Sequence, residues 1–191
     1  MKILGISGSP RTGGNTDILL ERALLGARES NAETEKIILN NLKIYPLHEE
    51  EYENVTEDGL SVISDDMRII FQKIDEADAL ILSAPIFFGS LPCQVKTMID
   101  RFQCVWLSKN VLNKTMFIKK KIGAFISVEA SEREDFFNNA KSIVRHFFAV
   151  INVEYKGEVF CPGVGKKADI LKHPIFLDKA YDVGRLLAEG K

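Results

Sequence analysis

Ile3-Leu4-Gly5-Ile6-Ser7-Gly8-Ser9-Pro10-Arg11-Thr12-Gly13-Gly14-Asn15-Thr16 is an apolar run, then a glycine-rich turn, then at once a helical pattern. A run with no polar alternation reads as a strand covered on both faces, as in a parallel sheet between helices. Ala79–Leu82 and Ile122–Val128 read the same way, and partial alternation predicts further strands at Glu35–Leu39 and Val153–Phe160. Between them, Ile18–Arg28 places Leu19, Leu20, Ala23, Leu24 and Ala27 on one stripe, and Leu91, Val95, Met98, Ile99 and Phe102 recur at helical spacing. Phe136–Val150 and Leu177–Ala188 complete the clear helices, with a weaker one over Leu60–Ile74. Strand and helix alternate to the end, which predicts an α/β fold with a parallel sheet and right-handed crossovers.

The length of 191 residues is that of one domain, spanning 1–191 without a linker, repeat or low-complexity tract. An apolar fraction of 46% with 27% charged residues excludes a wholly disordered, collagen-like or coiled-coil chain. Lys plus Arg number 25 against 27 Asp plus Glu, so the basic excess of a nucleic-acid binder is missing. The run Lys119-Lys120-Lys121 reads as solvated lysines at the start of a strand.

Cys93, Cys104 and Cys161 form no C-x-x-C pair, so zinc, an iron–sulfur cluster and a disulfide framework lack ligands. Reduced thiols fit a cytoplasmic protein. His48, His146 and His173 share no metal-ligand spacing and read as loop or surface residues, and Cys93 as a small buried one. Met1–Ile6 is too short for a signal peptide, and Ala77–Gly89 is interrupted by Asp78, Ser83 and Pro85, so no membrane span is expected. One connection is long: Asn40–Gly59, where six of the ten residues from Glu49 to Asp58 are acidic and are expected in solvent.

The first loop has the chemistry of an anion site. A helix amino terminus offers unpaired N–H groups and partial positive charge. Gly13 and Gly14 allow close backbone approach, Ser9, Thr12, Asn15 and Thr16 add donors, and Arg11 adds a full charge. The spacing is neither G-x-x-x-x-G-K-[ST] nor G-x-G-x-x-G, which argues against a triphosphate or a dinucleotide pyrophosphate and favours one terminal phosphate. A tight Gly-Gly turn with Asn15 as a helix cap would use the same residues.

After the third strand comes Ser83-Ala84-Pro85-Ile86-Phe87-Phe88-Gly89-Ser90-Leu91-Pro92, a stiff apolar loop. In a sheet ordered 2-1-3-4-5 this loop and the first one flank the switch point where ligands bind. A phosphate site beside a flat apolar wall fits a phosphorylated aromatic cofactor. Phe87 and Phe88 would equally serve as core or interface residues.

These segments, Gly5 to Arg11 through Gly14-Asn15-Thr16 and Ala84 to Pro92 through Lys96 and Ile99-Asp100-Arg101, resemble the FMN-binding NAD(P)H-dependent oxidoreductases of the flavodoxin-like superfamily. Gly163-Val164-Gly165 and a last helix ending Gly184-Arg185-Leu186-Leu187 are similar to that family too. The family includes FMN and quinone reductases and iron–sulfur flavoproteins, and flavodoxin itself is the standing example of FMN at this switch point. The resemblance implies a flavodoxin-like three-layer sandwich with a five-stranded parallel sheet ordered 2-1-3-4-5. It implies FMN as cofactor, NADPH or NADH as transient hydride donor, and a quinone, flavin or other small acceptor. By it, Ser9, Pro10, Arg11, Gly14, Asn15 and Thr16 hold the phosphate end. Pro85, Ile86, Phe87, Phe88 and Gly89 lie against the flavin ring, and Ser127 is a third contact. It further implies a homodimer or homotetramer with FMN near the interface, where Phe102 and Trp106 are either core or part of a neighbour's flavin site. No catalytic side chain is expected, because the cofactor carries the hydride chemistry. An electron carrier that binds FMN without oxidising NAD(P)H is the alternative.

Two departures from the family stand out. The cluster cysteines of iron–sulfur members are missing from Tyr45-Pro46-Leu47-His48-Glu49-Glu50-Glu51, and Ser127-Val128-Glu129-Ala130-Ser131 lacks the glycines often found in the third loop.

Overall fold

A computed structural model describes residues 1–49 and 54–190. Five parallel strands, β1 (Lys2–Ser7), β2 (Glu33–Ile38), β3 (Ala79–Pro85), β4 (Lys121–Val128) and β5 (Val153–Cys161), form one sheet in the order β2-β1-β3-β4-β5. β1, β3 and β4 are buried nearly throughout, as their uninterrupted apolar runs predict.

Helices α1 (Asn15–Glu29) and α6 (Pro174–Ala188) cover one face, where Leu20 and Leu24 pack with Ile3, Ile81 and Ala124. Their close approach depends on two glycines. A Cβ on Gly184 would lie 1.7 Å from the Ala23 carbonyl oxygen, and one on Gly26 would lie 2.2 Å from that of Tyr181. The opposite face carries α2 (Met67–Glu76), α3 (Cys93–Asp100), α4 (Gln103–Asn110) and α5 (Glu134–Val150), packed with Leu4, Leu80, Leu82 and Phe125. Among the described residues no helix is long and apolar enough to cross a membrane.

Five expectations need correction. The helix expected over Leu60–Ile74 begins at Met67, because the chain before it forms turns and a bridge between Val55 and Ser61. The helix expected over Leu91–Phe102 ends at Asp100, and a second, α4, follows. Asp100-Arg101 reads in the sequence as a helix-surface ion pair, but Arg101, between the two helices, is no surface partner of Asp100. Its side chain is fully buried against Asp65, while Asp100 pairs with Lys96. Lys119 and Lys120 are exposed as expected, but Lys121 is 1% exposed, its ammonium donating to the Lys119 carbonyl. Cys93 is exposed rather than buried. In the acidic segment Glu49, Glu57 and Asp58 are exposed, and Glu50, Glu51 and Glu53 lie outside the described residues.

Candidate functional site

At the carboxyl ends of the strands the ladder continues from loop to loop. The Gly8 N–H donates to Ser83 O (2.7 Å), Ile86 N–H to Val128 O (2.9 Å), and Glu129 N–H to Cys161 O (3.1 Å). Gly8 is required here, since a Cβ would meet Val95 Cγ2 at 2.1 Å. These bonds hold four loops at one sheet edge as a rigid rim, which is how a site built on loops keeps its geometry.

The first loop is braced from behind by Asp17. Its Oδ2 accepts the Gly13 N–H (3.0 Å), and its Oδ1 accepts the Ser7 hydroxyl (3.1 Å) and pairs with Lys36 Nζ (2.6 Å). Burial pushes the Asp17 carboxyl up, but the Lys36 ammonium and the Gly13 N–H offset this and leave it below its ordinary value. Ser9 Oγ accepts the Arg11 N–H (3.1 Å), and a Cβ on Gly14 would stand 3.0 Å from Arg11 O and 3.2 Å from Ser9 Oγ. The loop is therefore a cradle that a side chain at Gly14 would fill.

Ser9, Arg11, Gly14, Asn15 and Thr16 line a cavity of about 210 Å³. Pro85, Ile86 and Phe87 line it from the β3 loop, so both sequence segments meet where they were expected to. Asn15 is there for a further reason: its amide donates to Lys166 O (2.8 Å) and accepts from Ile170 N–H (3.3 Å), tying the helix start to the segment after β5.

Four expected residues do not line the cavity. Ser127 is fully buried, with its hydroxyl donating to Ala84 O (2.7 Å), and the lining from β4 is Val128, Glu129 and Ala130. Pro10 lies beside the lining residues. Phe88 is fully exposed at φ +51°, and Gly89 follows at φ +71° against the Phe136 ring. Two positive-φ residues bridged by Phe87 N–H to Ser90 O (2.8 Å) make the tight turn that ends the apolar wall.

Sequence reasoning missed Glu129 and, more importantly, Lys167. Lys167 follows Gly163-Val164-Gly165, and that glycine-flanked cation was its only local signal. Neither Arg11 nor Lys167 forms an ion pair with any described residue. Two unpaired cations, a helix amino terminus and a backbone cradle suit a dianionic phosphate, and the Pro85–Phe87 wall suits a planar apolar ring. The cavity is smaller than those that enclose a whole ligand, so a molecule of that type would keep one face open. Among the described residues no His, Cys, Asp and Glu cluster could hold a metal ion.

Residues 1–153 match the family model described as NADPH-dependent FMN reductase. The chain is 32% identical over 196 residues to an iron-sulfur flavoprotein of Methanocaldococcus jannaschii, covering 99% of this chain and 96% of that one. It is 36% identical over 131 residues to an iron-sulfur flavoprotein of Methanosarcina thermophila, covering 69% of this chain and 64% of the relative's length, just under two thirds. A solved structure titled flavone reductase superposes with a TM-score of 0.74 at 25% identity, over 99% of this chain and 62% of that one. The matched stretch contains the β1 cradle, the β3 wall and strands β1 to β4, and the chain belongs to the NADPH-dependent FMN reductase family.

Proposed function

We propose that this cavity seats FMN with its phosphate in the Ser9–Thr16 cradle, between Arg11 and Lys167, and its ring against Pro85, Ile86 and Phe87. The protein then passes a hydride from NAD(P)H to a quinone, a free flavin or another small acceptor. The observation that carries this reading is the meeting of two unpaired cations and an apolar wall in one open cavity. Bound FMN supplies the hydride-accepting and hydride-donating centre. The chain's own part is to bind and orient. Arg11, Lys167 and the α1 amino terminus neutralise the phosphate, Asp17 keeps the Gly13 turn in shape, and the stiff Pro85–Phe87 segment fixes the ring plane. The open mouth admits nicotinamide and acceptor in turn.

The acting unit is a homodimer or homotetramer with this mouth near the interface. Exposed Phe87 and Phe88, adjacent in the loop at the mouth, support that reading, since a contiguous exposed apolar patch often marks an interaction surface. The test is a visible spectrum after loading with FMN and desalting, followed by anaerobic NADPH and NADH. A flavin spectrum bleached by either nucleotide is expected. A flavin that stays oxidised indicates an electron carrier, and a colourless protein overturns the site.

A further inference from the structure

We infer that Glu129 sets the redox balance of the bound flavin, acting as a fixed negative charge that disfavours the reduced cofactor. The inference rests on FMN occupying the cavity proposed above.

Glu129 lines that cavity at the end of β4 and is 4% exposed. One carboxylate oxygen, Oε1, accepts the Ser131 hydroxyl and the Arg133 N–H (3.1 Å), which fixes the side chain within its loop. The other, Oε2, is buried and meets no donor among the described residues. The Arg133 guanidinium, in the same loop, feels the Glu129 charge but makes its ion pair with Asp135 (2.7 Å) and lies over the Phe136 ring. A buried carboxylate with one bare oxygen is costly, and a redox role is one of the few explanations for such a group.

Its place in the sheet says which part of the cofactor it acts on. β3 lies between β1 and β4, so the phosphate cradle and Glu129 sit on opposite sides of the Pro85–Phe87 wall. A ligand with its phosphate in the cradle and its ring on the wall brings the ring, not the phosphate, towards Glu129. Two-electron reduction of a flavin near neutral pH takes up two electrons and one proton and leaves the ring with one more negative charge. In a poorly screened site a nearby carboxylate opposes that change, and contact is unnecessary for the effect. The two cations of the cavity face the phosphate and leave this charge uncompensated at the ring.

The test is a spectroelectrochemical titration of the FMN-loaded protein, with dissociation constants for oxidised and reduced FMN measured separately. Glu129→Gln keeps an acceptor for Ser131 and Arg133 and removes only the charge. It is expected to favour reduced over oxidised FMN by about tenfold, which for a two-electron couple is about 30 mV upward. Glu129→Asp retains the charge and should hold the wild-type ratio even where the loop loosens, and Glu129→Ala, which also removes the charge, replaces the Gln variant if that folds poorly. Glu132→Gln, an exposed site in the same loop, should change the ratio little. A ratio that moves less than about twofold in Glu129→Gln, or moves as much in Glu129→Asp, overturns the inference and leaves the cavity assignment standing. If FMN binding is indifferent to Arg11→Ala, the cavity assignment falls and this inference with it.

Discussion

Arg101 and Asp65, 36 residues apart in sequence, form a fully buried ion pair. Nη1 lies 2.5 Å from Oδ2 and Nη2 3.4 Å from Oδ1. The same guanidinium donates to Tyr45 O (2.9 Å) and Ser61 Oγ (2.6 Å), while Asp65 accepts the N–H groups of Tyr45 and Met67, both at 2.9 Å. One clamp therefore ties the long connection after β2 and the chain leading into α2 to the end of α3, at the residue where the predicted single helix breaks.

Removing one member of a buried pair strands the other. Arg101→Met is expected to lower unfolding free energy by about 3–5 kcal/mol, and Arg101→Met with Asp65→Leu by clearly less, because no buried charge then remains. Urea unfolding of the three proteins checks this.

The pair also carries acid sensitivity. Burial raises the Asp65 carboxyl, but the Arg101 guanidinium and the two N–H groups overcome this and leave it below the ordinary 3.8. Its stabilising contribution is complete above 3.8 and disappears as pH falls through the lower folded value, so the deficit of Arg101→Met should shrink in that acid range. Unfolding curves between about pH 2 and 7 would reveal a constant deficit if the assignment is wrong.

Arg11→Ala and Lys167→Ala should each weaken FMN by about 1.5–3 kcal/mol, the scale of one charge-assisted contact, while affecting riboflavin, which lacks the phosphate, far less. Asn15→Ala should behave differently. Its amide is engaged with Lys166 and Ile170, so both flavins and thermal stability should suffer together. Equal losses for FMN and riboflavin in the Arg11 variant would place the phosphate elsewhere.

Gly184→Ala tests the contact between α1 and α6. Alanine is the better helix former by about 1 kcal/mol, yet its methyl would stand 1.7 Å from the Ala23 carbonyl oxygen. The helices must separate, and a net loss near the top of the overpacking range, about 3 kcal/mol, is expected. A stabilised variant in a denaturant titration would refute this packing.

Lys121→Met should raise stability at neutral pH by about 1–2 kcal/mol, since the buried ammonium has no salt bridge among the described residues. Burial lowers the Lys121 pKa from 10.5, so the folded state binds its proton less readily than the unfolded chain. The penalty is complete below the folded pKa and fades as pH rises towards 10.5, so the advantage of the Met variant should narrow in alkaline solution. Paired melting curves across that range measure it.

The sheet was legible in the sequence because strands buried on both faces leave short uninterrupted apolar runs, and those at Ile3, Ala79 and Ile122 have strand rather than helix length. The cradle was legible for the same local reason: Gly8, Gly13, Gly14 and Asn15 are close together in the chain, and their backbone geometry is a property of the loop itself. Arg101 was not, because whether an arginine at a helix end is solvated or buried depends on a carboxylate 36 residues earlier. Nor were Lys167 and Glu129, which join the site through hydrogen bonds between the β4 and β5 loops that no periodicity records. Local pattern determined the elements and the phosphate loop. Only the folded sheet, by setting β3 between β1 and β4 and closing the β5 segment over Asn15, decided which charges face the cavity and which are buried behind it.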